Sequence, residues 1–183
     1  WMWALTLTDE SPAVKTGILN HASWFASETS FGYCGAGAFR LVDANFYSQI
    51  SDRDWRKKSW KAPEGSKLDV PLLANTEYYS QDNVPELAGV KFRPANGETL
   101  NYKVGNPTSI CMMRVEEMLL IEAEATAYSD PAKAADMITA FATTRDAAFV
   151  KPVATTQAVV DVTMWQKRVE LWGEGIVFYD FKR

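Results

Sequence analysis

Apolar and polar positions change their spacing several times along the chain, and each change marks a predicted element. Trp1–Thr8 (WMWALTLT) alternates loosely and is rich in β-formers, which predicts a strand. From Asp9 to Phe39 no period holds. Arg40–Ile50 reads as a short helix, and Asp52–Lys58 as another turn or two, a solvated stretch with Trp55 as its one anchoring ring. Lys61–Asn106 is rich in Pro, Gly and Asn, and offers only short strand candidates at Val90–Arg93 and Thr99–Val104. Helical spacing takes over at Ile110–Tyr128, with Thr108 or Ser109 available as a cap. Asp130–Pro131 restarts a helix, Asp at the N-cap and Pro at the first helical position, that runs to about Ala147. A Val/Thr/Pro linker, Val150–Val159, precedes Thr163–Gln166, which reads as a capping box. The next helix then places Trp165, Arg168, Val169 and Trp172 on one stripe. Gly173 ends it, Gly175 permits the turn, and Ile176–Arg183 starts a fourth helix.

The helix RVEEMLLIEAEA has charges where an amphipathic helix would not put them. Arg114, Glu117, Ile121 and Glu124 share one narrow stripe, while Val115, Met118, Leu119, Leu120 and Ala123 cover most of the remaining surface. Part of that stripe is therefore expected inside the protein, where an unpaired carboxylate is costly and a cationic partner is needed. Arg145 lies on the face of Ala134, Ile138 and Phe141, which makes it the first candidate partner for Glu117 or Glu124. Arg168, among apolar neighbours, is the second. The structural ion pairs expected are thus drawn from Arg114, Glu117, Glu124, Arg145 and Arg168. On this reading, Glu117→Ala breaks a buried pair and costs roughly 3–5 kcal/mol.

These elements make a mainly α fold: two helical hairpins, long irregular loops and a few short strands. Each hairpin must stack on further helices to bury both its sides. Residues 1–105 form the loop-rich region and 106–183 the helical scaffold, together a fragment of one larger domain. The spacing between hairpin starts exceeds the roughly 34 residues of a regular tetratricopeptide repeat. A strict repeat array is not predicted.

At 183 residues and 47% hydrophobic, the chain can bury a core, yet no apolar run is long enough to span a bilayer. The net charge of -4 argues against nucleic acid, and no polybasic cluster addresses anionic lipid. Cys34 and Cys111 leave a disulfide open; a metal site would need His21 as well, and His21 reads as a surface histidine. With a single histidine there is no Ser/His/Asp or Cys/His arrangement. GYCGAG (Gly32–Gly37) lacks the Lys and the helix start of a phosphate cradle and reads as a turn. Glu117 and Glu124 could be paired for glycoside hydrolysis, but they sit two turns apart on a helix with a structural role. The expectation is a protein that is not an enzyme and uses no cofactor or metal.

Aromatic residues make up 13% of the chain. Trp24, Phe25, Phe31 and Tyr33 sit in the long unpatterned region, where they either tuck the loop onto the core or present faces to a ligand. Trp24, Phe31 and Tyr33 are the candidate ligand-binding residues, chosen from loop placement. The chain opens WMWALTLT without an initiator Met, signal peptide or lipidation motif, and closes on Lys-Arg, as though cut from something longer.

RVEEMLLIEAEA resembles the R-x-x-E-M-x-L-I-x-A-E-A pattern of the SusD/RagB family of outer-membrane nutrient-binding lipoproteins. ITAFATTRDAAF (Ile138–Phe149) resembles that family's second helix with its Arg-Asp pair, and WQKRVELWGEGIVFYDFKR resembles its ERRIELWGEG-x-x-FFDLKR signature. LVDANFYSQISDRDWRKKSW weakly matches the upstream region, where a short helix precedes a D-x-R motif. The likeness is specific over Arg114–Arg183 and loose over Trp1–Val104. Gln166-Lys167 stands where Glu-Arg is usual, a departure at one charge pair. The resemblance implies tetratricopeptide-like helical pairs carrying a loop-built ligand side. It implies a surface protein of Bacteroidetes-type outer membranes that captures oligosaccharides, or peptides in some members. Its partner would be a SusC-like TonB-dependent transporter, and its hold on the membrane a lipid anchor absent from this chain. A helical-repeat adaptor that binds a protein is the alternative from another class.

Overall fold

A computed structural model gives the structure of residues 2–15, 25–68, 84–106 and 108–182. In chain order the elements are β1 (Trp3–Thr6), α1 (Pro12–Lys15), α2 (Gly32–Gly35), α3 (Ala44–Gln49), a 3-10 turn (Trp55–Ser59) and a second (Ala95–Gly97). They continue with α4 (Tyr102–Gly105), β2 (Ser109–Met113), α5 (Val115–Ala127), α6 (Pro131–Thr143), α7 (Thr156–Glu170) and α8 (Val177–Asp180). The fold is mainly helical, with a two-stranded sheet. It divides into a helical unit (Trp1–Trp3, Ile50–Arg56 and Met113–Arg183) and a loop-rich unit (Ala4–Gln49 and Lys57–Met112).

Within the helical unit, α5, α6 and α7 pack pairwise. Leu120, Ala123 and Ala127 meet Ala134, Ala135, Ile138 and Phe141, and Val159 closes the cluster from α7. Four alanines at the contact let the helix axes come close, and each large aliphatic side chain buried there contributes about 1.5–3 kcal/mol. The α6 start forms as its sequence dictates: the Asp130 carboxylate accepts the Lys133 N–H at 3.0 Å, with Pro131 in the first turn. The helix ends at Thr143, short of Ala147.

Other boundaries differ from expectation as well. Ile110–Met113 is strand and not helix, because it has a partner in β1: Met2 N–H donates to Met113 O at 3.0 Å and Leu7 N–H to Thr108 O at 2.9 Å. The partners run in opposite directions, so the pair is antiparallel. Thr108 and Ser109 therefore cap nothing; α5 begins at Val115 with extended Arg114 as its uncapped N-cap. The capping box at Thr163–Gln166 does not exist either. α7 starts earlier, where the Thr155 hydroxyl accepts the Ala158 N–H at 3.3 Å, and Thr163 sits buried inside the helix, donating to Val159 O at 2.8 Å. The last four residues of the run read as linker, Thr156–Val159, are helical because Val159 is buried in the core, which outweighs its modest helix propensity, while 150–155 stay non-helical. Lastly, α8 is a single turn, not a full helix.

The loop-rich unit is organised around Trp60, which is fully buried. Phe46 and Tyr47 of α3 meet its ring edge-on, with centroids 6.3 and 6.2 Å away. Segment 87–90 runs between 40–42 and 59–61: Val42 N–H donates to Leu87 O, Gly89 N–H to Arg40 O, Lys61 N–H to Ala88 O and Val90 N–H to Ser59 O. The strand candidates Val90–Arg93 and Thr99–Val104 do not form strands. Around the second, side chains take the donors a ladder would need: the Glu98 carboxylate accepts Leu100 N–H at 2.7 Å and Asn101 N–H at 3.0 Å, and Asn101 caps α4.

Candidate functional site

The loop aromatics are the residues the sequence offers to a ligand. Trp24 lies outside the described residues. Phe31 is buried, packed with Ala26 and edge-on to Tyr102, so here it holds the loop down and does not present a face. The neighbouring Ser27, Glu28 and Thr29 are buried as well, and Glu28 meets Arg93 at 2.9 Å. Tyr33 is half-buried, with the Arg40 guanidinium 6.0 Å from its ring centre. The turn that carries it depends on glycine: a Cβ at Gly35 would stand 2.1 Å from Ser30 O. Beneath it Cys34 is buried, and burial pushes its thiol up to about 11. A cleft of about 550 Å³ in the same unit has Lys61, Glu64, Ser66 and Glu86 on its walls, a polar lining suited to hydroxylated ligands.

The helical unit holds the charges. Their centre is Glu170, near the end of α7 and not on the α5 stripe. Three guanidinium groups converge on its buried carboxylate: Arg56 at 3.0 Å, Arg114 at 3.3 Å and Arg145 at 3.3 Å. Each arginine has further company. Arg56 forms a two-bond fork with Asp54, at 3.0 and 2.6 Å, and donates to Gln166 at 2.6 Å. Arg114 forms a fork with Glu174, at 3.0 and 2.9 Å, and donates to Glu170 O. Arg145 lies over the Phe141 ring and donates to the Thr144 hydroxyl. Burial alone would raise the Glu170 carboxyl; Arg145 and Arg56 outweigh it and hold it below the ordinary glutamate range.

This arrangement corrects the expected pairings. Arg145 reaches Glu170, and neither Glu117 nor Glu124. Glu124 pairs with Lys167, a buried lysine that also meets Asp180 at 3.2 Å. Glu117 Oε2 is buried with no hydrogen-bond partner among the described residues. Burial pushes its carboxyl up, Glu174 adds to the rise, and Lys167 and Arg114 only partly offset it. Among the described residues Glu117→Ala thus breaks no buried ion pair, contrary to expectation. Arg168 lies over the Trp165 and Phe181 rings, 5.5 and 5.6 Å from their centres. The buried side of α7 carries Val159, Thr163, Gln166, Lys167, Val169 and Glu170; of the stripe that hydropathy selects only Val169 is buried, while Trp165, Arg168 and Trp172 are half-buried.

The Asp52–Lys58 segment is inverted in the same way. Asp54, Arg56 and Lys57 are buried, and Trp55 is 55% exposed. Sequence reasoning missed Asp54, Arg56, Lys167, Glu170 and Glu174. The signal for the last two was the ELWGEG string, read first as a helix stop. It is that too, with Gly173 and Gly175 at φ 78° and 80°. Gln166 and Lys167, where the family signature has Glu-Arg, keep an acceptor toward Arg56 and a cation between two carboxylates.

Among the described residues no group of His, Cys, Asp and Glu could hold a metal ion, and no helix is long and apolar enough to cross a membrane. No curated protein matches the chain. A solved SusD-like carbohydrate binding protein from Bacteroides vulgatus superposes with a TM-score of 0.66 at 25% identity, over 98% of this chain and 33% of that one. This chain thus spans about a third of that protein's length. The SusD family model matches residues 43–183, which include every member of the Glu170 cluster, and the chain belongs to the SusD family.

Proposed function

We propose that this protein is a cell-surface glycan-binding protein that captures oligosaccharides and passes them to a TonB-dependent outer-membrane transporter. The observation that carries the reading is the match over 98% of the chain to a carbohydrate binding protein of the same family. The molecule acts by binding, without catalysis: the helical unit is a rigid frame locked by buried ion pairs, and the loops supply contacts. Trp24 and Tyr33 are the proposed ring contacts, and Phe31 fixes the loop that bears Tyr33. Sugar rings have apolar C–H faces that suit aromatic side chains, and polar loop groups reach their hydroxyls.

Titration calorimetry against defined oligosaccharides and, separately, defined peptides tests this reading. Saturable heat with at least one glycan, weakened by Trp24→Ala or Tyr33→Ala, supports it. Heat with peptides alone moves the assignment to peptide capture, and binding to neither removes the ligand-capture role. For the transporter, the matching outer-membrane protein should bind the purified chain saturably; a titration that shows none refutes that partner.

A further inference from the structure

We propose that Trp55 and Arg53 form a second sugar-contact platform on the helical unit, built for one neutral pyranose residue of a longer glycan. The proposal rests on the glycan reading above but names a site that the loop aromatics do not include. Its starting point is an indole that hydrophobic burial alone would not leave outside. Trp55 is 55% exposed, yet it is held at two points: its Nε1–H donates to Thr144 O at 3.1 Å, and its backbone N–H to Arg145 O at 3.2 Å. An exposed ring fixed in this way has already lost the freedom that a ligand would otherwise have to remove.

The rim is built from the same two segments. Arg53 donates through Nε to Asp146 Oδ1 at 3.2 Å, with its own side chain 67% exposed. Its backbone N–H is tied to the Ser51 hydroxyl at 3.2 Å. Asp146 is buried and anchored in turn by the Ala148 N–H at 3.0 Å. Among the described residues the Arg53 side chain bonds through Nε, which leaves its two Nη groups as donors. Ring and guanidinium therefore dock on one short stretch, Thr144–Asp146, and are placed by it together. An exposed ring and an exposed guanidinium anchored two residues apart suit a pyranose, which offers apolar C–H faces to the one and hydroxyls to the other. Because Asp146 offsets the Arg53 charge, the platform favours a neutral sugar over an acidic one. A single ring with a charged rim is also too small for a stable protein interface, which asks for about 800 Å² per partner.

The test uses the intact chain with maltohexaose, cellohexaose and mannohexaose as probes. In an amide spectrum the Trp55 indole N–H, assigned by its disappearance in Trp55→Phe, should shift on addition of a sugar that calorimetry shows to bind. Trp55→Ala should weaken that sugar roughly tenfold, the scale of one lost ring contact, and Arg53→Ala by a few fold. Trp55→Phe, which keeps a ring, should retain most of the affinity and guards against a variant that fails to fold. A bound sugar that leaves the indole signal unmoved, with Arg53→Ala binding as wild type does, overturns the platform and leaves the glycan reading intact. If no probe binds wild type, both fall together.

Discussion

Replacing Glu170 removes one carboxylate from beneath three guanidinium groups, so the cost can be worked from what each arginine keeps. Arg56 retains its fork to Asp54 and the Gln166 oxygen, and Arg114 retains its fork to Glu174. Among the described residues Arg145 retains the Phe141 ring and the Thr144 hydroxyl, neither of them anionic. Glu170→Ala thus leaves about one buried positive charge uncompensated, and the expected loss is about 3–5 kcal/mol. For a chain of this length that lowers the melting temperature by roughly 6–20 °C. Glu170→Gln keeps an acceptor for one arginine and should fall at the low end. The exposed pair Lys151–Asp136, with side chains 47% and 69% accessible, is the control: Asp136→Ala should change stability by less than ~0.5 kcal/mol. Acid dependence gives a second readout. The Glu170 carboxyl is depressed in the folded state, so its contribution is fully present above the unfolded value near ~4.3 and disappears as pH falls through the lower folded value. Glu170→Gln should lose that part of the acid slope. Urea unfolding of wild type and variants measures both. A loss under ~1 kcal/mol for Glu170→Ala would refute the claim that Glu170 neutralises the cluster.

Glu117 carries the opposite sign: its carboxyl is raised on folding, so it lowers stability as pH climbs above the unfolded glutamate value. Glu117→Gln should therefore stabilise the protein at pH 7 and have no effect near pH 3, where the carboxyl is protonated in both states, read from the same unfolding curves. Lys167→Met leaves Glu124 and Asp180 facing each other without their shared cation; a loss of roughly 3 kcal/mol by chemical unfolding is expected. Gly35→Ala drives a methyl into Ser30 O, a backbone atom at 2.1 Å, and should weaken any glycan binding that depends on Tyr33. Calorimetry showing unchanged affinity would separate that turn from the binding site.

Local chemistry was enough for the helices that need no distant partner. Asp130–Pro131 starts α6, the glycines after Trp172 stop α7, and the 3.6-residue period places Ala134, Ile138 and Phe141 inward. The charged stripe on α5 also gave true notice that ions lie within the helical unit. Which residues meet there was beyond that kind of reading. Arg56 and Glu170 are 114 positions apart, and periodicity assigns a residue to a face without saying which segment lies opposite. Hydropathy went further astray wherever ions replace apolar groups inside. It turned α7 toward its tryptophans, though Gln166, Lys167 and Glu170 are buried beside Val169, and it sank Trp55 in place of Arg56. The strand at Ser109–Met113 failed for a related reason, since its partner lies a hundred residues earlier in β1. Pairing energies depend on who is nearby in space, and a buried charge is stable only if folding brings its counter-ion to it.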